Sequence, residues 1–249
     1  MRYSFLCIVI LTAFLCSPAY SQRETRTVSS FNKISFGIAA DLYLTQGNTQ
    51  KLELEGNKDD LDKIETEVVG GQLKIHIKDY HWFNWNMGTV SVYITVPEIN
   101  EVSLGGSGKI TGTNTIKSTD MRVSVSGSGK LQMDLNCDNL KLDVSGSGRM
   151  DLSVNTGDID EDISGSGSIN LKGNAANADL EISGSGKLEA ADLQVKAYTI
   201  HISGSGRGNI SVSDAITANI SGSGSILYKG NPDKVISKVS GSGKVRKMD

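Results

Sequence analysis

The sequence is poor in the residues that most often carry chemistry or crosslinks. Among 249 residues there are three cysteines, three histidines and two tryptophans, and aromatics make up 6%. Cys7 and Cys16 lie in an N-terminal apolar segment, which leaves Cys137 as the lone cysteine of the expected mature chain. One cysteine cannot close an internal disulfide. Its setting, Leu135-Asn136-Cys137-Asp138, reads as a small buried apolar residue and not as a nucleophile. His76, His81 and His201 are scattered without ligand spacing, so no metal site is expected. A basic stretch is also missing: 25 Lys and Arg face 28 Asp and Glu, for a formal charge of −3. That balance argues against a nucleic-acid partner. Long apolar runs are absent except for residues 5–15, preceded by Arg2, and these are too short to span a bilayer. With Ser17-Pro18 and Ala19-Tyr20-Ser21 after it, this run reads as a signal peptide over residues 1–21, cleaved after Ser21. Leu15 stands where lipoprotein cleavage needs a small residue, so Cys16 is not read as a lipid anchor. The mature chain is expected to be exported, without a transmembrane segment, to the periplasm, outer membrane surface or cell exterior.

Glycine and serine are what the chain has in abundance, and they are ordered. Gly105-Gly106-Ser107-Gly108 is followed by seven Ser-Gly-Ser-Gly cassettes that begin at Ser126, Ser145, Ser164, Ser183, Ser203, Ser221 and Ser240. The spacings are 21, 19, 19, 19, 20, 18 and 19 residues, and a flexible linker has no reason to keep period. Each cassette is flanked by alternating apolar and polar residues, as in Val123-Ser124-Val125 and Leu131-Gln132-Met133. Period two marks strands with one buried and one wet face. A repeat of about nineteen residues suits one coil of a parallel β-helix, an all-β solenoid with apolar residues stacked along its axis. Coils stack at about 4.8 Å, so serines should lie above serines. A third column then holds Lys109, Lys130, Arg149, Ser168, Lys187, Arg207, Ser225 and Lys244. Glu161 occupies an apolar position, and a bulge is expected at residues 158–162. Ala218 and Ser237 weaken the same position in the last coils, where a poorly filled core is expected.

Residues 22–100 alternate too, for example Leu73-Lys74-Ile75-His76-Ile77, but lack the cassette. They read as a β-rich N-terminal cap continuous with the repeat region of residues 101–249. Asn57, ahead of Asp60 and Leu61, is positioned to cap one helical turn.

Three features together resemble the auto-transporter adhesin family with a head GIN domain. They are Phe31-Asn32-Lys33-Ile34 followed by Asp41-Leu42-Tyr43-Leu44-Thr45-Gln46-Gly47, the segment from Leu73 to Ile77 leading to Val92-Tyr93-Ile94-Thr95-Val96-Pro97, and the Gly-Ser-Gly run. The resemblance implies an exported right-handed β-helix with an adhesive role and no catalytic residues. A left-handed β-helix would favour hexapeptide periodicity and 18-residue coils, which most of these spacings do not fit.

No enzyme is expected, and no cofactor. Gly106-Ser107-Gly108-Lys109 lacks the spacing of a phosphate loop, and structural columns repeat where nucleotide sites do not. Asp158-Ile159-Asp160-Glu161-Asp162 has no calcium-loop pattern and reads as a solvated acidic turn. The candidate binding residues are Lys130, Arg149, Lys187 and Arg207 on the cationic column, and Trp82, Phe83 and Trp85. These aromatics could stack on a sugar or anchor a protein, or they could plug the solenoid end. The partner is read as a protein or carbohydrate at the cell surface, with polysaccharide binding or processing as the alternative function. The last residues, 244–249, are too few for a coil, so a charged, frayed end is expected. A monomer is expected, with weak end-to-end association as the alternative.

Overall fold

The structure, a computed structural model, describes residues 22–78 and 88–248. The expected signal peptide and the Trp82–Phe83–Trp85 loop lie outside the described residues. The chain forms a β-solenoid of about 8 turns with coils of about 19 residues. Its first strands are β1 (Gln22–Thr25), β2 (Lys33–Phe36), β3 (Asp41–Gln46) and β4 (Lys51–Gly56). After the turn α1 (Lys58–Leu61) come β5 (Ile64–Val69), β6 (Gln72–Ile77), β7 (Ser91–Val96) and β8 (Glu101–Gly106). Six long strands then make one coil each: β9 (Lys109–Gly127), β10 (Lys130–Gly146), β11 (Arg149–Gly165), β12 (Ser168–Gly184), β13 (Lys187–Gly204) and β14 (Arg207–Gly222). The last turns are split into β15 (Ser225–Lys229), β16 (Lys234–Gly241) and β17 (Lys244–Lys247).

Each coil has a leading side just after the cassette and a trailing side just before the next one. Parallel pairing links coil to coil in register, with Lys130 beside Arg149, Leu131 beside Met150 and Ser145 beside Ser164. Apolar residues of both sides point inward and form one continuous core that includes Leu131, Leu142, Leu180, Ile200 and Ile226. The N-terminal strands enter this lattice directly. Strand β2 lies between β6 and β8 on the trailing side, and β3 between β7 and β9 on the leading side. Strand β5 pairs antiparallel with β6, and β4 pairs antiparallel with both β7 and β1, so β4 and β5 run against the coils while β1 runs with them. The helical turn forms as expected, with the Asn57 side chain accepting the Asp60 N–H at 2.9 Å.

The cassette is the corner of the coil, and its two glycines have different causes. The first adopts positive φ, from 85° at Gly106 to 122° at Gly241. Any Cβ from Gly127 onward would come within 2.4–2.9 Å of the carbonyl oxygen of its counterpart in the coil before. That carbonyl accepts a hydrogen bond from the next coil, as when the Ser147 N–H donates to Gly127 O at 2.9 Å. The second glycine is buried. A Cβ on Gly148, Gly167 or Gly186 would lie 2.3–2.4 Å from Val125, Val144 or Ile163 of the preceding coil. One glycine is therefore needed for the turn and the other for packing.

The expected bulge at 158–162 is not there. Pairing runs without interruption from Asp158 to Gly165 on both sides of β11. The irregularities fall instead at Gln132/Asp134, Asn170/Lys172, Ala190/Gln194 and Val195/Ala197, where the uneven spacings are absorbed. Glu161 keeps its place because it turns into the core at 1% exposure, where it finds a partner instead of forcing the strand outward. At the other end, the final coil is open as expected: Val235 and Val239 are 43% and 41% exposed.

Candidate binding surface

The leading side presents two outward columns that run nearly the length of the molecule. In the first, Lys109, Lys130, Arg149, Ser168, Lys187, Arg207, Ser225 and Lys244 stand beside one another in register. The structure thus brings the four sequence-derived cations, Lys130, Arg149, Lys187 and Arg207, onto one line. They are not equivalent. Lys130 Nζ lies 2.8 Å from an Asp151 carboxylate oxygen, and Lys187 is paired with Glu189. Among the described residues, Arg149 and Arg207 have no ion-pair partner within 4.0 Å, so both guanidinium groups face solvent with free donors.

The second column lies two residues further along each strand and was not foreseen from the sequence. Gln132, Asp151, Asn170, Glu189 and Asn209 stand in register there. Amides donate to the carboxylates next to them, Asn170 to Asp151 and Asn209 Nδ2 to Glu189 Oε2 at 2.6 Å. Burial pushes the Asp151 carboxyl up, but hydrogen bonds from Lys130 and Asn170 and the charges of Lys130 and Arg149 outweigh it. The net effect holds Asp151 below its ordinary value and keeps it ionised. The column continues into the N-terminal strands as Thr111, Tyr43 and Tyr93. The two tyrosine rings stack with centroids 5.2 Å apart, and the Arg23 guanidinium sits 4.2 Å over Tyr93. Their faces are thereby occupied by each other and by the cation, which makes the trio a brace for the strands more than a free platform.

The trailing side is more nearly self-neutralising. Asn139 donates to Asp120 and Asn177 to Asp158, both at 2.8 Å, while Lys141 Nζ donates to Asp162 at 3.1 Å. Arg122 lies 2.9 Å from Asp143. A groove of 550 Å³ crosses this side, lined by Asn139, Lys141 and Asp158 among others, so its polar groups are largely engaged. Cys137 is buried beside Thr156, and burial pushes its thiol up, away from thiolate reactivity.

The profile of a protein family described as "Putative auto-transporter adhesin, head GIN domain" matches residues 30–160 and 137–232. The chain belongs to this family. Solved structures carry the same fold for the head GIN domain. A protein of Parabacteroides distasonis ATCC 8503 titled a "putative lipid binding protein" is 26% identical, with a TM-score of 0.86 over 93% of this chain and 98% of that one. A "putative adhesin" of Parabacteroides merdae ATCC 43184 is 24% identical, with a TM-score of 0.85 over the same shares. Another from P. distasonis is 23% identical, with a TM-score of 0.87 over the same shares. No curated protein matches the chain. Among the described residues, no helix is long and apolar enough to cross a membrane.

Proposed function

We propose that this head GIN protein is an exported, non-catalytic module that binds a surface ligand along the leading side of its solenoid. The observation that carries the reading is the in-register cationic column, in which Arg149 and Arg207 are free of internal partners. They are three coils apart, about 14 Å along the axis. A rigid ladder holds both arginines at fixed separation, so a repeating or planar anionic surface can engage them together. A guanidinium offers a planar fork to carboxylate or phosphate oxygens, which fits such a partner better than a neutral one. Catalysis would instead need acids, bases and cations converging in one cleft. Here the cations repeat along the body, and the carboxylates beside them are hydrogen-bonded to amides or lysines.

The test is retention of purified protein on three surfaces: heparin, a neutral glucan, and vesicles containing phosphatidylglycerol. Binding to an anionic surface should weaken at least tenfold in Arg149→Ser/Arg207→Ser and fade with salt. Retention by both variant and parent alike, or preference for the neutral glucan, would move the site off this column. Turnover of any polysaccharide would overturn the non-catalytic reading.

A further inference from the structure

We propose that the C-terminal tip of the solenoid docks on an anionic lipid surface, so that the molecule stands tip first on a membrane. Residues 225–249 carry six Lys and Arg against two Asp, a formal +4, whereas residues 22–224 carry 18 against 26, a formal −8. The positive excess is gathered at one end of an acidic body.

The outward columns trace how it is gathered. One on the trailing side runs Asp162, Glu181, His201, Asn219 and Lys238. The next runs Asp160, Asp179, Thr199, Thr217 and Ile236, and a third runs Asp158, Asn177, Ala197, Ala215 and Lys234. All three pass from acid through neutral to cation or apolar over four steps, about 19 Å. The leading side makes the same passage as Glu189, Asn209, Leu227 and Arg246. Among the described residues, Lys234, Lys238, Lys244 and Arg246 are exposed and have no ion-pair partner within 4.0 Å. There too, β16 pairs only with β14 and β17 only with β15, which leaves the last coil uncovered. Beside the cations, Leu227, Val235, Ile236 and Val239 are 39–43% exposed.

This mixture fits a layer of anionic headgroups: the cations meet phosphates while the short apolar side chains enter the acyl boundary. The acids do not oppose it when the tip leads. Glu181 lies three steps behind Lys238, about 14 Å, beyond the Debye length of about 8 Å at physiological salt. Contact through the trailing side would instead press Asp160, Asp162, Asp179 and Glu181 against the same charge. Lysines on an edge strand can also serve only to keep other strands away. That role needs no outward apolar side chain. Leu227 and Ile236 are outward positions that Asn209 and Thr217 fill one coil earlier, and their change to apolar residues at the tip favours lipid.

Vesicle flotation tests it in Arg149→Ser/Arg207→Ser protein, where the leading column is silent. Failure of the column reading therefore leaves this result untouched. That protein should float with phosphatidylcholine vesicles containing phosphatidylglycerol, not with phosphatidylcholine alone, and salt should release it. Adding Lys234→Ser/Lys238→Ser/Arg246→Ser should weaken binding at least tenfold, and adding Leu227→Ser/Ile236→Ser at least threefold. All five side chains are on the surface, and circular dichroism verifies that the variants fold. A polarity-sensitive dye on Ile236→Cys protein should shift to the blue on the same vesicles; Cys137 is buried and does not take the label. No flotation, equal flotation with either lipid, indifference to the tip substitutions, or a dye that does not shift would overturn the proposal.

Discussion

Glu161 is the residue at which the pattern of the sequence and its physical outcome part. It stands between Leu142 and Leu180 in an inward column, fully within the core. The Tyr198 hydroxyl lies 3.1 Å from both carboxyl oxygens. Tyr198 itself stands beside Ala178 and, one coil further, Ile159, so the small alanine leaves room for the ring to lean toward Glu161. Desolvation, with the nearby charges of Asp179 and Asp160, pushes the Glu161 carboxyl up to about 8, and the Tyr198 bond offsets part of this. The unfolded carboxyl titrates near its ordinary 4.5, so between the two values only the folded state holds the proton. Stability contributed by this proton is present below 4.5 and is lost as pH rises through about 8. Glu161→Leu should remove that slope. At pH 4.5 the variant should be less stable by about 1–3 kcal/mol, because the buried Tyr198 hydroxyl loses its partner. By pH 8.5 urea unfolding should show the balance shifted in the variant's favour by on the order of a few kcal/mol. Equal effects at both pH values would mean that the carboxyl is not buried. Tyr198→Phe should destabilise the protein by about 1–3 kcal/mol, since it strands a buried acid.

Among elements, the cassette corner was the most legible, because both of its glycines are required and the requirement repeats. Strand alternation likewise exposed the inward columns. The Tyr43–Tyr93–Arg23 stack was not legible. Its members come from three strands that meet only after β3 inserts between β7 and β9 and β1 pairs with β4. The Glu161–Tyr198 pair was hidden for a related reason: it joins positions 37 apart, across one whole coil and an offset along the strand. Alternation assigns a face, but it cannot say which side chain leans toward which. The acid–amide column needed the same register. The two glycines should also respond differently to substitution. Gly167→Ala meets Val144 at 2.3 Å, and should cost about 1–3 kcal/mol by overpacking. Gly165→Ala has to adopt φ near 102° and meets the Gly146 carbonyl oxygen at 2.9 Å. A Cβ at Gly167 also meets a backbone carbonyl oxygen, that of Gly148, at 2.9 Å, so it is the positive φ that should place Gly165→Ala below Gly167→Ala in thermal unfolding. A reversed order would mean that the corner does not hold Gly165 in the left-handed region.

For the whole molecule, the coil is the unit of construction. Residues 130–148 span one register step, since Lys130 pairs with Lys109 and also with Arg149. Deleting them joins Gly129 to Arg149 and leaves every remaining inward column intact. Such a protein should still unfold cooperatively, with a modestly lower midpoint. Deleting 130–138 instead shifts later columns out of phase, and should abolish folding. Circular dichroism on heating distinguishes the two.

The bonds between coils, such as those from Ser147 to Gly127 and Arg149 to Gly129, run along the axis. A pull applied to the two ends therefore loads these bonds a few at a time, as in a zipper, and not all together in shear. A tethered molecule dragged from its surface would yield coil by coil at low force. Each step would release about 60 Å of chain. The ladder that holds the arginines in line would thus also be a shock absorber, lengthening under tension before the bound face is torn away.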